Sequence, residues 1–172
     1  MPLVELPLLW VALLDAFAWL LLHLVISIAI QRVPVSWFMR NDWLFQQFSW
    51  EREGRIWQQF FNVKKWKRHI PDGTLFIRNG YDKSTLHGRD RTSLGLFLLE
   101  SRRAEFVHWL TIVPSVLFFI WNPLWAAWLN VAYAVLFNLP LIIVQRFNRP
   151  RLERLINAEM VARKRSVSNV NT

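Results

Sequence analysis

Apolar residues concentrate in two tracts of the chain, separated by a polar and basic segment. The first tract runs from about Leu6 to Ile30 and is interrupted by only a few polar residues, among them Asp15 and His23. At about 1.5 Å per helical residue, it is long enough to cross a hydrocarbon core of roughly 30 Å. It lacks the basic start and the small-residue cleavage site that mark a signal peptide. We therefore predict a retained transmembrane helix over residues 6–30, with its N-terminus outside.

The second apolar tract, Phe106 to Gln145, is too long for one span and is interrupted at Trp121-Asn122-Pro123. Proline lacks the N–H that a helical ladder needs and biases the residue before it away from helix. We therefore predict a helical hairpin over residues 106–145, with its turn near Asn122. The first arm contains Pro114 and is short for a full crossing, so it either continues a helix from the polar segment or is re-entrant. The second arm is long enough to span, with a kink expected at Pro140.

Between the two tracts, residues 31–105 are polar, basic and aromatic. Within this segment, Glu51 to His69 has apolar residues at helical spacing, which is typical of a helix lying in the headgroup plane. Pro71-Asp72-Gly73 is a turn signal that ends this helix. The stretch Thr74–Thr92 has strand-like fragments without a clear period. A further helix is expected from about Leu94 into the membrane.

The basic residues follow the same division of the chain. All 21 Lys and Arg residues fall in two blocks, Arg32–Arg103 and Arg146–Arg165, and the apolar tracts contain none. Basic residues beside membrane spans stay in the cytoplasm, so both blocks are expected on that side. A formal charge of +9 also suits nucleic acid, but neither block has a nucleic-acid-binding motif. The absence of Cys excludes disulfides and thiolate metal sites.

These patterns predict an all-α integral membrane protein that forms one membrane domain over residues 1–172. It has about three transmembrane or re-entrant helices and one interfacial amphipathic helix. The remaining parts are a cytoplasmic or interfacial region (31–105) and a basic cytoplasmic tail (146–172), which is expected to be frayed or disordered beyond Val161. The eleven Trp residues suit an aromatic belt at the membrane surface.

The most informative polar cluster lies where the polar segment meets the second apolar tract. Glu105 and His108 are three residues apart, which places them within about 60° of each other on a helix. A neutral imidazole oriented by a carboxylate could act there as general base toward a hydroxyl at the membrane surface. The alternative is a row of helix-surface ion pairs, with His108 as an interfacial anchor. Glu-x-x-His also occurs in di-iron bundles, but this chain has no second copy, so no metal site is expected.

Two basic clusters are further candidates. Lys64-Lys65-Trp66-Lys67 could hold the phosphates of an acyl-thioester cofactor or carrier, or its lysines could snorkel to lipid phosphates. The three arginines of Gln145–Leu152 form a positive-inside signal at the exit of the last span. Asn148 and Pro150 add nothing to such a signal, and instead favour a turn that aims Arg149 at a site.

Asp15 and His23 lie inside the first apolar tract, where ionisable groups are costly and count as functional candidates. They are about 80° apart around a helix and need not meet. Either could pair with Asn130 or Asn138 across the helix bundle.

Several motifs occur together and in order: Lys65-Trp66-Lys67, Asp72-Gly73, Tyr81-Asp82, Arg102-Arg103-Ala104-Glu105 with His108-Trp109, and the run from Ile142 to Leu152. In this combination the chain resembles the glycosyl-diaponeurosporenoate acyltransferases of staphylococcal carotenoid synthesis, from about Val33 to Leu152. Those enzymes esterify a fatty acid onto the glucose of a carotenoid glycoside, which gives the pigment staphyloxanthin.

The resemblance implies a multi-pass enzyme of the bacterial cell membrane whose main polar region is cytoplasmic. It would transfer a fatty acyl group from acyl-CoA or an acyl-carrier protein to a sugar hydroxyl of a glycosylated carotenoid or other glycolipid. His108 and Glu105 become the expected catalytic pair, with Asp72 as the alternative base. The residues expected to bind substrate or donor are Lys65, Trp66, Lys67, Tyr81, Asp82, Arg103, Asn148, Arg149 and Arg151. Membrane lipids are expected partners, and neither a bound cofactor nor nucleic acid is expected.

A function of another class also fits the composition. A non-catalytic membrane subunit that docks pigment or lipid enzymes onto anionic lipid would explain the basic blocks and the Trp residues equally well. It would not explain the particular forms of Glu105–His108 and Asn148–Arg151.

Overall fold

Helix accounts for most of the chain that the computed structural model describes, namely residues 6–40, 42–70 and 91–170. The α-helices are α1 (Leu8–Gln31), α2 (Val35–Arg40), α3 (Arg55–Phe61), α4 (Val63–Trp66), α5 (Arg91–Ile112) and α6 (Leu124–Val170). Turns of 3-10 helix cover Asp42–Phe45, Ser49–Gly54, Lys67–His69 and Val113–Ile120. No β-strand occurs within the described ranges, and the predicted all-α class is confirmed.

Three helical stretches are long and apolar enough to cross a membrane: Leu8–Gln31, Thr92–Ile120 and Leu124–Ala162. The first agrees with the predicted span to within two residues at each end. The second stretch consists of α5 and the 3-10 segment Val113–Ile120 that follows it. Pro114 lies at the start of that segment, where a residue needs no N–H hydrogen bond, so the proline does not interrupt the stretch. The first arm of the second tract is therefore continuous with a helix that begins in the polar segment.

The chain divides into two compact units. Unit 1 comprises Met1–Pro34 and Arg103–Ile142, and unit 2 comprises Val35–Arg102 and Ile143–Thr172. α5 and α6 each contribute one part to each unit.

Unit 1 is built around the indole of Trp19. The ring stacks on Phe118 with centroids 4.7 Å apart, and the edge of Tyr133 meets it at 5.1 Å. Ala134 is fully buried in the same cluster, so its small side chain leaves room for the aromatic rings. The outward residues of α1 are apolar and exposed, as expected for a helix surrounded by lipid.

Unit 2 packs its short helical turns onto the second half of α6. Phe38, Val63 and Phe147 are fully buried there. Gly54 has φ 79°, and a Cβ at this position would stand 3.2 Å from the carbonyl oxygen of Phe147. Glycine is therefore required both by the left-handed backbone and by the close approach of α6.

The segment Glu51–His69 is helical, but it is not the single helix that its apolar spacing predicts. It is divided at Gly54 and again at Asn62, whose φ of 47° is left-handed. Asparagine tolerates this conformation because its short polar side chain bonds locally, here accepting from Gln58 Nε2 at 2.7 Å. Asn62 thus ends α3 and redirects the chain into α4.

The C-terminal part of the chain also differs from the sequence prediction. α6 stays helical through Pro140 and Pro150 and reaches Val170, so the expectation of a frayed or disordered tail beyond Val161 is wrong for the backbone up to that residue. The predicted turn at Pro71–Gly73 and the strand-like fragments that follow lie outside the described residues.

Candidate functional site

His108 lies on α5 in unit 1, with its Nδ1 atom 3.0 Å from Oδ1 of Asn138 on α6. Asn138 is buried, and its Nδ2 donates to the carbonyl of Ala134 at 2.8 Å. This bond identifies the amide nitrogen, so the oxygen faces His108 and can only accept. A neutral imidazole held in this way carries its proton on Nδ1 and presents Nε2 as a hydrogen-bond acceptor. That is the tautomer a general base at Nε2 requires.

Glu105, the predicted partner of His108, is buried on the same helix and is 1% exposed. One of its carboxylate oxygens accepts from the indole Nε1 of Trp109 at 3.3 Å. Because charges in a buried position are screened less by water, this carboxylate exerts a stronger field on its surroundings than a surface glutamate would. Arg103, also in unit 1, donates to the carbonyl of Val33 at 3.0 Å.

Unit 2 holds a buried ion pair that no motif in the sequence indicates. Arg146 pairs with Glu51, and their side chains are 9% and 0% exposed. The carboxylate of Glu51 also accepts from Trp57 Nε1 at 3.1 Å and from the backbone N–H of Phe48 at 3.3 Å. Arg146 also lies over the ring of Phe48, whose centroid is 5.2 Å from its guanidinium carbon. The two residues of the ion pair are 95 positions apart in the chain, so the sequence alone does not indicate that they pair.

Arg149 is fully buried in unit 2 and donates to the carbonyl of Phe45 at 2.7 Å. Its guanidinium carbon also lies 5.6 Å from the centroid of the Phe45 ring. The segment Asn148–Arg151 is continuous helix, so the turn predicted from Asn148 and Pro150 is wrong. The arginine is buried by helix packing, because its position on α6 faces the short turns of the same unit.

Lys67 and Arg151 approach one aromatic ring in unit 2. Lys67 Nζ lies 5.1 Å and the Arg151 guanidinium carbon 3.6 Å from the centroid of Phe147. Lys67 also donates to Oδ1 of Asn148 at 2.8 Å. Burial lowers the pKa of Lys67, and the charges of Arg151 and Lys64 lower it further. Within the described chain neither cation has a carboxylate partner, so the pair is suited to bind an anion.

The other predicted binding residues are placed as follows. Lys65 is exposed, and Trp66 is half-buried with its indole donating to the carbonyl of Phe61 at 2.7 Å. Asp72, Tyr81 and Asp82 lie outside the described residues. Lys67, Asn148 and Arg151 are therefore the predicted residues that the structure brings together.

Residues 41–158 match the family described as glycosyl-4,4'-diaponeurosporenoate acyltransferase. A relative of that name from Staphylococcus haemolyticus (strain JCSC1435) is 37% identical over 155 residues, which cover 87% of this chain and 90% of the relative. Relatives of the same name from Staphylococcus aureus strains bovine RF122 / ET3-1 and MRSA252 are each 38% identical over 138 residues, covering 80% of this chain and 83% of the relative. This chain belongs to the glycosyl-4,4'-diaponeurosporenoate acyltransferase family. No solved structure matches it.

Membership of the glycosyl-4,4'-diaponeurosporenoate acyltransferase family confirms the resemblance seen in the motifs, and with it the expectation of an enzyme that transfers an acyl group. The matched region, residues 41–158, includes His108 in unit 1 and Lys67 and Arg151 in unit 2, and it begins after Asp15. Asn138, which the sequence pattern indicates only as a partner for Asp15 or His23, also lies within residues 41–158. An amide side chain inside an apolar span needs a specific polar partner. This is the signal that could have indicated a contact between Asn138 and His108.

Proposed function

We propose that this chain esterifies a sugar hydroxyl of a glycosylated carotenoid, or of a closely related glycolipid, with a fatty acyl group from a thioester donor. The relatives are named for acyl transfer to a glycosyl-4,4'-diaponeurosporenoate, which supports a glycosylated acceptor. The three apolar helices support an acceptor with a long apolar part, because such a molecule resides in the bilayer. The donor is an acyl-CoA or an acyl-carrier protein.

His108 is the proposed general base, and its contact with Asn138 is the observation that carries the proposal. Nε2 takes the proton of the sugar hydroxyl while the hydroxyl oxygen attacks the thioester carbonyl carbon. A carbon–oxygen bond forms and the carbon–sulfur bond breaks. The proton then passes from the imidazolium to the departing thiolate, which leaves as a thiol. Asn138 is a positioning residue, since it holds the tautomer in which Nε2 can accept.

Glu105 is the proposed source of charge stabilisation for the imidazolium. It precedes His108 by three residues on α5, a spacing that puts the two side chains on neighbouring positions of one helix face. Its burial strengthens the interaction of its carboxylate with a positive charge that develops during the reaction.

Lys67 and Arg151 are the proposed ligands for a phosphate of the donor. Two cations that share one aromatic ring and lack a carboxylate partner within the described residues leave an uncompensated positive charge. The phosphates of coenzyme A, or the phosphopantetheine of a carrier protein, have the complementary charge. The basic blocks are proposed to lie on the cytoplasmic side of the bacterial cell membrane, where both donors are found.

The test uses the purified full-length protein in lipid nanodiscs, with radiolabelled acyl-CoA or acyl-carrier protein as donor and a panel of glycosylated carotenoids and glycolipids as acceptors. Wild type should form a labelled ester with at least one acceptor. His108→Ala should lower kcat by about a hundredfold or more, the usual contribution of a general base. The matched control is His69→Ala, which removes an exposed histidine of unit 2 and should leave kcat unchanged.

Two results would contradict the proposal. Full activity of His108→Ala would remove His108 from the mechanism. Absence of transfer by wild type with every acceptor, from either donor, would favour a non-catalytic membrane subunit.

A further inference from the structure

Asp15 is the centre of a polar cluster inside unit 1. Its Oδ1 accepts from Trp121 Nε1 at 2.7 Å and from Asn122 Nδ2 at 2.8 Å. Its Oδ2 accepts from Asn130 Nδ2 at 2.8 Å, as the predicted pairing of Asp15 with Asn130 requires. Trp19 Nε1 completes the cluster by donating to Asn130 Oδ1 at 2.7 Å. Side chains from the turn before α6 and from α6 itself are thus arranged around one carboxylate of α1.

The cluster adjoins a pocket of about 310 Å³. Apolar residues of α1 and α6 form most of its wall, and Asp15, Asn122, Asn130 and Tyr133 supply its polar groups. Helical geometry places Asp15 about 25 Å along α1 from Arg32. It also places Asn130, which bonds Asp15, about 12 Å along α6 from Asn138, the partner of His108. The pocket is therefore distinct from the proposed catalytic group.

The hydrogen bonding of the pocket leaves acceptors unused. Asn122 is 2% exposed, and its Oδ1 has no hydrogen-bond partner. Oδ2 of Asp15 accepts one bond, while a carboxylate oxygen can accept two. An unsatisfied buried acceptor is unfavourable, because it has given up its bond to water without a replacement. A donor group that enters the pocket would satisfy the unused acceptor position of Asp15 directly.

The charge of the pocket indicates which kind of hydrogen-bond donor it would bind. No Lys or Arg occurs in residues 1–31 or 104–145, and Asp15 forms no ion pair within the described chain. The three groups that donate to Asp15 are neutral, so its negative charge remains uncompensated in an apolar environment. Trp125 and Tyr133 also line the pocket, and aromatic faces attract cations. A positively charged donor matches these features better than a hydroxyl.

We propose that this pocket binds the primary ammonium group of a membrane lipid, with Asp15 as its counter-ion and the lipid tails against the apolar wall. The proposal stands apart from acyl transfer, since it uses no residue assigned to that reaction. The ammonium supplies the positive charge that the pocket lacks, and further N–H donors for its unused acceptors.

The test is a titration of delipidated full-length protein in detergent with three lipids of identical acyl chains, read by native mass spectrometry. Phosphatidylethanolamine offers charge and donors, phosphatidylcholine charge without N–H donors, and phosphatidylglycerol hydroxyl donors without an ammonium. We expect phosphatidylethanolamine to bind at least tenfold more tightly than the other two. Asp15→Asn should abolish that preference, because it removes the charge and changes the side chain little in size.

A second variant covers the case in which Asp15→Asn does not fold. Ala12→Leu places extra volume in the pocket without altering the polar cluster, and should likewise lower phosphatidylethanolamine affinity at least tenfold. The matched control is Thr111→Val, which removes a buried hydroxyl elsewhere in unit 1 and should bind like wild type. Equal binding of the three lipids by wild type would overturn the proposal. So would tighter binding of phosphatidylglycerol, or an unchanged affinity of the Ala12→Leu protein for phosphatidylethanolamine.

Discussion

Lys67 donates a hydrogen bond to Oδ1 of Asn148 at 2.8 Å, although 81 positions separate the two residues in the chain. The contact holds the ammonium beside the Phe147 ring, which the guanidinium of Arg151 also approaches. The lowered pKa of Lys67 reflects this crowded position, since burial and the neighbouring cations all disfavour its charged form. A bound anion would relieve that repulsion.

Replacing Lys67 with Met should weaken the binding of the acyl donor. We expect KM for acyl-CoA to rise about tenfold, equivalent to about 1.4 kcal/mol, while kcat changes little. Steady-state kinetics in nanodiscs measures both. Arg68→Met is the control, because it removes the same charge from an exposed neighbouring position. An equal effect of the two variants would mean that net charge, and not the Lys67 contact, determines donor affinity.

The same lysine should set an alkaline limit for donor binding. Its lowered pKa means that it loses its proton at lower pH than an ordinary lysine, so donor affinity should fall as pH rises through that pKa. In Lys67→Arg the cation stays protonated, and the fall should move to higher pH. Profiles of KM against pH for the two proteins test this, and coincident profiles would rule out Lys67 as the titrating group.

Asn138→Leu should reduce catalysis without affecting donor binding. The substitution removes the acceptor for His108 Nδ1, so the imidazole no longer favours the tautomer with Nε2 as base. We expect kcat to fall about tenfold to a hundredfold, part of the range for general base catalysis, with KM for the donor unchanged. Thr111→Val is the control for a polar group lost from the same unit. A parallel loss in both variants would indicate damage to the fold and not to the base.

Glu51→Gln should destabilise the protein strongly, because it leaves the buried Arg146 without its carboxylate. Breaking a buried ion pair in this way costs about 3–5 kcal/mol. Glu53→Gln is the matched control. Its pair with Arg154 has side chains that are 65% and 61% exposed, so its loss should cost less than about 1 kcal/mol. Denaturation in detergent, followed by tryptophan fluorescence, compares the two, and similar midpoints would contradict the burial of the Glu51 pair.

Two glycines of unit 2 should respond in opposite directions to substitution by Ala. Gly54 has a left-handed backbone and faces a carbonyl of α6, so Gly54→Ala should destabilise the protein by about 1–2 kcal/mol. Gly95 is helical with open space around it, so Gly95→Ala should stabilise by about 0.5–1 kcal/mol. Thermal melts of the two variants and wild type provide the comparison, and a stabilising Gly54→Ala would refute the close approach.

The proposed orientation in the membrane can be tested by cysteine labelling, because the chain has no native Cys. Arg68→Cys should react with an impermeant maleimide only after cells are opened. Leu124→Cys, at the start of α6 next to the turn between the last two helical stretches, should react in intact cells. The reverse pattern would place the basic blocks outside.

Local sequence patterns located the long helices well. The first span was predicted to within two residues, because hydrophobicity over 20 or so residues is sufficient to specify a membrane helix. The same reasoning was wrong at Asn148 and Pro150, where α6 continues without a turn. It also failed to anticipate the division at Asn62. At these positions packing within unit 2 overrides the local preference of the chain.

The candidate site was predictable only in part. His108 and the cations Lys67 and Arg151 could be named, because their types and positions match a family motif. Their contacts could not, since Asn138 and Asn148 lie far from their partners in the chain. The pairing of Glu51 with Arg146 could not be predicted from the sequence either.

By itself the sequence determined that this protein is helical, carries three apolar stretches of membrane-spanning length and belongs to an acyltransferase family. Hydrophobicity and motif identity are properties of the chain read locally. The tertiary structure alone decided which polar groups meet: the base with its amide, two cations with one ring, and Asp15 with three neutral donors. Buried polar groups must find partners wherever folding brings them, and those partners are set by helix packing and not by distance along the chain.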